Sequence, residues 1–581
     1  MQGSQKYPKV IIIATNQALD NDAQIRRRMA SVEKAQARRT SASQSLDLGA
    51  MQMAVNSNLL KLLLQLEGRY LHFFDLLNYI KDNRRIPRLT PENAEQYYTL
   101  ANTVTLNGIY LYQYLKGEGF EPHLIQNYAT GNLTDLLAEK PLAVCLSSNF
   151  VYMDDIREMA ERVKQLAPGI AVIVGGMLIK RLLDPGDDLS PKTLKFFASL
   201  QGKVDAFVVE ALGEQTLVKL LHSINRGDDA EGVPNLALFD SGGNLFFTPR
   251  LREHIPIDRT VIAWDKVPEP YLRRTLPVNT SRGCAYRCRF CTYHWMFPQV
   301  RFKSLDALTD EMRRIQGLGF VKHVRFTDDN FTANGARLKS VLQMMIREKF
   351  DFTWSSYARA SAVTPELVDL MRMSGCEFLD FGIESGSQTI LDLMDKRLQT
   401  ERALEAIRFL NDNGICSRGT FIVGYPGETE KTFAETVDFI NESGLTYYHP
   451  YLFSYSKRSL VHRDRERYGL RGIGLTWRHH TMDSVQASEL MARMIRQIDR
   501  SYTDEAHIVE MFKLLRGEGY TPEQILGLFR LKRELQLAVE VHGQHPPFAP
   551  EVDRILSQLE RAIRGSRRSG SRQDAPNISA G

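Results

Sequence analysis

Residues 276–291 read LPVNTSRGCAYRCRFC, a short apolar strand running into a loop that carries Cys284, Cys288 and Cys291 in the spacing CxxxCxxC. Three of the chain's six cysteines therefore fall within eight positions, which is the wrong arrangement for a disulfide framework. Cysteines this close together cannot bridge one another without strain. Three thiolates can, however, hold three corners of a [4Fe–4S] cubane and leave its fourth iron open to a ligand. The same residues with His294, three positions after Cys291, would also make a four-ligand zinc set, although structural zinc sites more often divide their ligands between two separated pairs. Arg287 and Arg289 stand where they would offset part of a cluster's negative charge.

Outward from this loop the chain reads as α/β. Strand patterns LPVNTSRG, HVRFTDDN, FTWSSYAR, EFLDFGIESG and RGTFIVGYPG alternate with helices such as LDALTDEMRRIQGLG and TPELVDLMRMSG. Repeated βα units predict a full or partial β/α barrel over 276–455, with the cysteine loop capping its first strand. Upstream, VIIIA, EPHLIQNY, LAVCLSSNF, AVIVGG and DAFVVEAL, with helices between the later ones, predict a parallel, Rossmann-like sheet covered on both faces within residues 1–225. Ligands of such sheets bind beyond the carboxyl ends of the strands, where Ser147, Ser148, Gly175, Gly176 and Gly213 stand; glycines at those places also serve turns alone. Residues 21–96, with NLLKLLLQL and YLHFFDLLNYI, read as a helical insertion packed on that domain. Residues 226–275 read as a connector with a hairpin around Asp240–Asn244, 456–564 as mostly helical, and 565–581 as a polar, basic and disordered tail.

A chain of 581 residues needs more than one core. Its 43% hydrophobic and 25% charged residues are ordinary globular composition and exclude a mostly disordered protein. A net charge of +5 is small for this length and requires neither nucleic acid nor an anionic membrane as partner. No apolar run is long enough to span a bilayer, and MQGSQKYPKVIIIAT lacks the features of a secretory signal. A cytoplasmic protein with a metal site in a reducing compartment is expected.

Beyond the cysteines, Phe290 precedes the last of them, and Phe326-Thr-Asp-Asp-Asn330, Gly382-Ile-Glu-Ser-Gly386 and Gly424-Tyr-Pro-Gly-Glu-Thr429 follow in order. In this combination residues 276–455 resemble the radical S-adenosylmethionine (SAM) superfamily. The resemblance implies a [4Fe–4S] cluster on Cys284, Cys288 and Cys291, with SAM chelating the open iron. It implies Glu384 as acceptor for the SAM ribose hydroxyls and Arg359 as partner of the SAM carboxylate, roles that suit a two-oxygen acceptor and a guanidinium fork. Asp328 and Asp329 either line the site or make an Asx turn. Gly424 to Glu428 is expected as a strand-to-helix turn near SAM, with Pro426 there for structure, and Cys376 and Cys416 as core thiols. Trp477, His479 and His480 are candidates for substrate or proton handling, or for packing at a domain seam.

An α/β domain ahead of such a barrel resembles the cobalamin-binding half of cobalamin-dependent radical SAM enzymes, the resemblance resting on Ser147–Ser148, Gly175–Gly176 and Gly213–Glu214. The DxHxxG motif that supplies a cobalt ligand elsewhere is absent, since His123 and His222 lack its Asp and Gly. YLHFFDLLNYI, TLNGIYLYQYLKGEGF, YYHPYLFSYS and LTWRHHTMDS are similar to a natural-product methylase group that includes phosphorus-methylating enzymes. The resemblance implies methyl transfer from methylcobalamin to an unactivated carbon, with phosphorus second to it, of a small-molecule or peptide substrate. It also implies an electron donor such as flavodoxin or ferredoxin. A cyclase or rearrangement enzyme using both cofactors is the alternative. A methylthiotransferase would need three further cluster cysteines upstream, where only Cys145 stands, and a non-enzymatic cobalamin or metal sensor would need neither Glu384 nor Arg359.

Overall fold

A computed structural model describes residues 7–15, 29, 48–87, 93, 96–99, 102–128, 131–183, 191–297, 299–503 and 508–569. They fall into two compact units, one formed by 1–23, 89–277 and 303–319, the other by 24–88, 278–302 and 320–581.

The first unit holds a seven-stranded sheet. Its strands are β1 (Lys9–Ile13), β2 (Glu121–Ile125), β3 (Ala143–Ser147), β4 (Ala171–Gly175), β5 (Ala206–Val208), β6 (Leu236–Phe239) and β7 (Leu245–Phe247), in the order β2-β1-β3-β4-β5-β6-β7. β1 to β5 run parallel. The apolar runs Val10–Ile13, Val144–Leu146 and Val172–Val174 are buried throughout, as strands covered on both faces must be. The order reverses between β1 and β3, the point at which sheets of this kind open a crevice at their carboxyl ends. Residues 226–275 do more than connect: the expected hairpin adds β6 and β7 to the sheet antiparallel, around a turn in which the Asp240 carboxylate accepts the Asn244 N–H at 2.8 Å. Helix Leu305–Gly317, read as part of the barrel, groups with this unit. There Glu311 is fully buried, pairs with Lys303 at 2.6 Å and accepts the Ile262 N–H at 3.1 Å.

The second sheet comprises β8 (Thr275–Val278), β9 (His323–Phe326), β10 (Thr353–Ala358), β11 (Cys376–Glu384), β12 (Cys416–Val423) and β13 (Tyr447–Leu452), in sequential order, with β9 to β13 parallel. Sequential order with helical crossovers is the layout of a partial β/α barrel. Asn334, Thr364 and Thr429 cap three of the crossover helices, each side-chain oxygen accepting a backbone N–H of the first turn. β13 is a strand that the sequence reading did not assign. It contains Pro450, which a sheet tolerates on its edge, where one side of the strand needs no ladder hydrogen bond.

Residues 24–88 group with this second unit and not with the N-terminal sheet. Helix Leu48–Leu60 packs on helix Ser484–Gln497, with Asn58 Nδ2 donating to Ser488 Oγ at 3.0 Å, and Arg84 pairs at 2.7 Å with Glu560 on helix Pro550–Ser569. The stretch NLLKLLLQL is not one helix: it ends in a hairpin of Leu64–Leu66 with Arg69–Leu71, turned by Glu67 and Gly68 at positive φ. Helices Ser484–Gln497, Ile508–Gly517, Pro522–His542 and Pro550–Ser569 complete the unit. The last of them runs through Ser569, five residues into the stretch expected to be disordered; 570–581 lie outside the described residues.

Two packing features carry tests. Phe512 is buried against Phe378 of β11, ring centroids 4.8 Å apart, and against His323 of β9. Phe512→Ala is expected to cost about 3–5 kcal/mol, read as a lower urea midpoint for the second unit. Where β12 passes into helix Glu430–Ser443, the fully buried Glu428 carboxyl accepts the Gly424 N–H, and burial raises its pKa to about 8. A carboxyl raised on folding binds its proton more tightly in the native state. Its stability contribution is therefore fully present below the unfolded value near 4.5 and is lost as pH rises through about 8. Urea titrations at pH 5, 7 and 9 should show this loss, and Glu428→Gln, which cannot ionise, should remove most of it.

Candidate functional site

The cysteine loop leaves β8 and is held to the end of β9 by two neighbouring carboxylates. Asp328, 1% exposed, accepts the Thr280 N–H at 3.0 Å, the Thr280 hydroxyl at 2.7 Å and the Ser281 hydroxyl. Asp329 accepts the Gly283 N–H at 2.7 Å, with the Tyr293 hydroxyl beside it; burial raises its pKa, opposed by those hydrogen bonds. Of the two readings of this pair, lining the site fits Asp329, whose charge reaches Cys284, and both carboxylates hold the cysteine loop. Gly283 has φ +93°, and a Cβ there would lie 2.4 Å from the Gln299 carbonyl oxygen.

Cys284, Cys288 and Cys291 are free thiols. Burial raises the pKa of Cys284 and Cys291, and each lies close enough to Cys288 for a thiolate there to raise it further. The Tyr293 N–H donates to Cys291 Sγ at 3.3 Å and Arg359 Nη1 to Cys288 Sγ at 3.8 Å, the donors that a thiolate ligand of a cluster uses. Among the described residues no three His, Cys, Asp or Glu side chains converge on one point as a single ion needs; a cubane takes its thiolates at separate corners. Arg289 is paired with Asp464, and its backbone ties the loop down through Met394 and Val461. The cationic neighbour that does reach a cluster cysteine is Arg359, not Arg289.

Arg359 follows β10 and is buried. Its guanidinium stacks 3.7 Å over the Tyr286 ring, Nη2 donates to the Lys396 carbonyl, and Nε is buried with no hydrogen-bond partner among the described residues. Glu384 ends β11 at a register shift, with φ +77°, a conformation that a non-glycine residue holds only when its surroundings impose it. Its Oε1 accepts from Lys396 Nζ at 2.8 Å, in a pair whose side chains are 11% and 6% exposed. A Cβ on Gly382 would sit 2.5 Å from that oxygen, so a side chain there would displace the Glu384 carboxylate from this position. Lys396 was not found in the sequence; it lies between Asp395 and Arg397, both at positive φ, in a loop that has no motif. Arg359, Glu384, Lys396 and the cysteines thus meet on one side of the sheet, with orphan donor and acceptor capacity of the kind a zwitterionic ligand needs.

In the first unit, Ser147 Oγ accepts from Asn107 Nδ2 at 2.7 Å at the end of β3, beside the reversal of strand order. Ser148 is fully buried: its N–H donates to the Gly175 carbonyl and its hydroxyl accepts the Ile179 N–H at 3.3 Å. Cβ atoms at Gly175, Gly176 and Gly213 would meet Val208, Asn149 and Val208 at 3.3, 2.6 and 2.4 Å. Ser148 and these three glycines thus also serve the protein's own close packing. What does face outward just beyond β3 is Phe150, 55% exposed, and Tyr152, neither singled out in the sequence.

Trp477 and His479, among the remaining candidates, are engaged in packing and hydrogen bonds. Trp477 is buried, donates from Nε1 to the Phe453 carbonyl at 2.6 Å and stacks on His479. Burial lowers the His479 pKa to about 4. The backbone N–H of His480 donates to the Tyr468 carbonyl. Burial pushes the thiols of Cys145 and Cys416 up to about 12 and about 11, and that of Cys376 well above its ordinary range.

Residues 278–440 match the Radical SAM superfamily. An uncharacterized methyltransferase of Pyrococcus horikoshii is 27% identical over 42% of this chain and 54% of its own length. The anaerobic magnesium-protoporphyrin IX monomethyl ester cyclase of Rubrivivax gelatinosus is 26% identical over 56% of this chain and 60% of its own. The chain thus spans little more than half the length of these relatives. The fold matches that of TsrM from Kitasatospora setae, a radical SAM methyltransferase solved with cobalamin and a [4Fe–4S] cluster, at 18% identity and TM-score 0.58 over 74% of this chain and 96% of that one. Residues 278–440, which carry the cysteine loop, Arg359 and Glu384, are a radical SAM domain.

Proposed function

We propose that this protein is a cobalamin-dependent radical SAM methyltransferase acting on an unactivated carbon, with phosphorus second to it, of a small-molecule or peptide substrate. The observation that carries the reading is the meeting of the cysteine loop with Arg359, Lys396 and Glu384 in the buried end of the barrel sheet. When bound, the cluster supplies the electron that cleaves SAM and methylcobalamin supplies the methyl group. Cys284, Cys288 and Cys291 would hold the cluster, and Arg359 Nε, a buried donor without an acceptor among the described residues, would take the SAM carboxylate. Glu384 would bind the ribose hydroxyls through Oε2, because Lys396 already occupies Oε1. Lys396 orients that carboxylate and balances its charge, and the burial of the pair keeps water from the reacting atoms. At the end of β3, exposed Phe150 and Tyr152 beside Ser147 offer an apolar surface of the kind a corrin face covers.

A fold shared with TsrM and a relative named as a methyltransferase support this reading. The cyclase relative favours a second one, ring formation with both cofactors and no methyl transfer. An electron donor such as flavodoxin or ferredoxin and a cytoplasmic, reducing location belong to the same proposal; no described helix is long and apolar enough to cross a membrane.

Anaerobic reconstitution should load about four irons with a [4Fe–4S] spectrum, and replacing Cys284, Cys288 and Cys291 with alanine should abolish it. With substrate, 5′-deoxyadenosine and S-adenosylhomocysteine should form at close to one each per methyl transferred; deoxyadenosine alone points to the cyclase. Glu384→Ala should slow deoxyadenosine formation at least about 10-fold at unchanged iron content, from the loss of hydrogen bonds to a charged acceptor. No histidine stands in the residues just beyond the carboxyl ends of β1–β5. Electron paramagnetic resonance of bound cob(II)alamin should accordingly show no imidazole nitrogen coupling, and such coupling would overturn this view of the cobalt environment.

A further inference from the structure

We infer that the barrel sheet carries an oxyanion-binding subsite built from Tyr357, Arg418 and Tyr451. Resting on the function proposed above, this makes the substrate one that bears a carboxylate or a phosphate-type group. Strand register sets Tyr357 of β10, Asp380 of β11 and Arg418 of β12 in one row. Arg418 donates from Nε and Nη2 to the two Asp380 oxygens at 2.9 and 2.5 Å. Arg325 of β9, 1% exposed, stacks 4.2 Å over the Tyr357 ring and lies 3.6 Å from the same carboxylate, yet neither of its Nη atoms has a hydrogen-bond acceptor among the described residues. One carboxylate therefore serves two guanidinium groups. The other charges acting on the cluster, Glu510 and Lys513 of helix Ile508–Gly517, pair with each other at 3.5 Å and add no net charge. Among the described residues the cluster holds one positive charge in excess, a costly state for groups removed from water unless an anion joins them.

The donors for that anion are in place. Arg418 Nη1 and the hydroxyls of Tyr357 and Tyr451 have no hydrogen-bond partner among the described residues. Tyr357 and Tyr451 keep 39% and 45% of their surface open, while Arg325, Asp380 and Arg418 beside them are buried. Both hydroxyls feel the charge of Arg418, Asp380 and Glu510, and that of Tyr357 the charge of Arg325 as well. A neutral acceptor would satisfy the donors but leave the excess charge; an oxyanion answers both. Asp380 precedes Glu384 by four residues on β11, about 13 Å of strand, so an anionic group held here leaves room for the body of a substrate between it and the SAM contacts.

The test titrates inorganic phosphate, and separately acetate, into the full-length reconstituted protein by calorimetry, with the cluster oxidised and saturating SAM present so that Arg359 is engaged. At least one anion should bind with 1:1 stoichiometry. The Tyr357→Phe/Tyr451→Phe double variant should weaken it at least about 10-fold at unchanged iron content, as expected for two lost hydrogen bonds to a charged group. Arg418→Lys, which keeps the charge beside Asp380 but loses the free Nη1, should weaken it likewise and serves if the double variant does not fold. Tighter phosphate binding selects a phosphoryl or phosphonyl group, tighter acetate binding a carboxylate. Absence of binding to wild-type protein, or equal binding to the variants, overturns the subsite. If that protein still holds iron and cleaves SAM on reduction, the function proposed above stands without it. If wild-type protein holds no iron and cleaves no SAM, that function falls, while the tyrosine dependence of the same titration still decides the subsite.

Discussion

The grip of Asp328 and Asp329 on the backbone between Thr280 and Gly283 is the constraint on which the site depends. Between Cys284 and Cys291 the loop has no helix or strand, the short ladder of Ser281–Arg282 with Arg301–Phe302 ending just before it, and thiols make weak hydrogen bonds. Its geometry must be imposed from outside, and two adjacent buried carboxylates do so with short bonds to backbone and hydroxyl donors. Both sit at the carboxyl end of β9, so the loop takes its position from the barrel sheet itself. Gly283 is the residue that lets the loop pass close to Gln299, and Met394 and Val461 hold the far side through the Arg289 backbone.

Around that loop the polar groups are arranged as a connected set. Lys396 links the two SAM-facing candidates, its ammonium on Glu384 and its carbonyl on Arg359, so a shift of the short loop at Asp395–Arg397 would disturb both at once. Arg359 adds the thiol of Cys288 and the ring of Tyr286 to the same set. Buried networks of this kind specify one arrangement because each member left unsatisfied is costly. Arg359 Nε, a buried donor with no partner among the described residues, is therefore informative about what the site binds.

Much of the architecture could be read from periodicity. Uniformly apolar runs such as VIII and AVIV announce strands covered on both faces, and the alternation of strands with capped amphipathic helices announces a parallel sheet. What escaped has specific causes. β13 was hidden by its proline, the hairpin at Glu67–Gly68 by the leucine run in which it is embedded, and the membership of residues 24–88 by the fact that an amphipathic face does not name its partner; its partners, Ser488 and Glu560, lie more than 400 residues away in sequence. The glycines at the carboxyl ends of β4 and β5 were legible as special positions, but not the reason, since whether a missing Cβ makes room for a ligand or for Val208 depends on side chains from another strand.

The sequence alone determined the chemistry available: three clustered thiols, a carboxylate in GIESG and an arginine after the third barrel strand. These follow from local spacing, and local spacing survives in one dimension. Only the tertiary structure decided how they are used. It turned Asp328 and Asp329 into clamps, replaced Arg289 by Arg359 as the cationic neighbour of a cluster cysteine, supplied Lys396, and left Trp477 and His479 to packing. Each of those outcomes is a contact between strands or loops distant in the chain. Its energy depends on burial and distance, and neither quantity exists until the sheet has assembled.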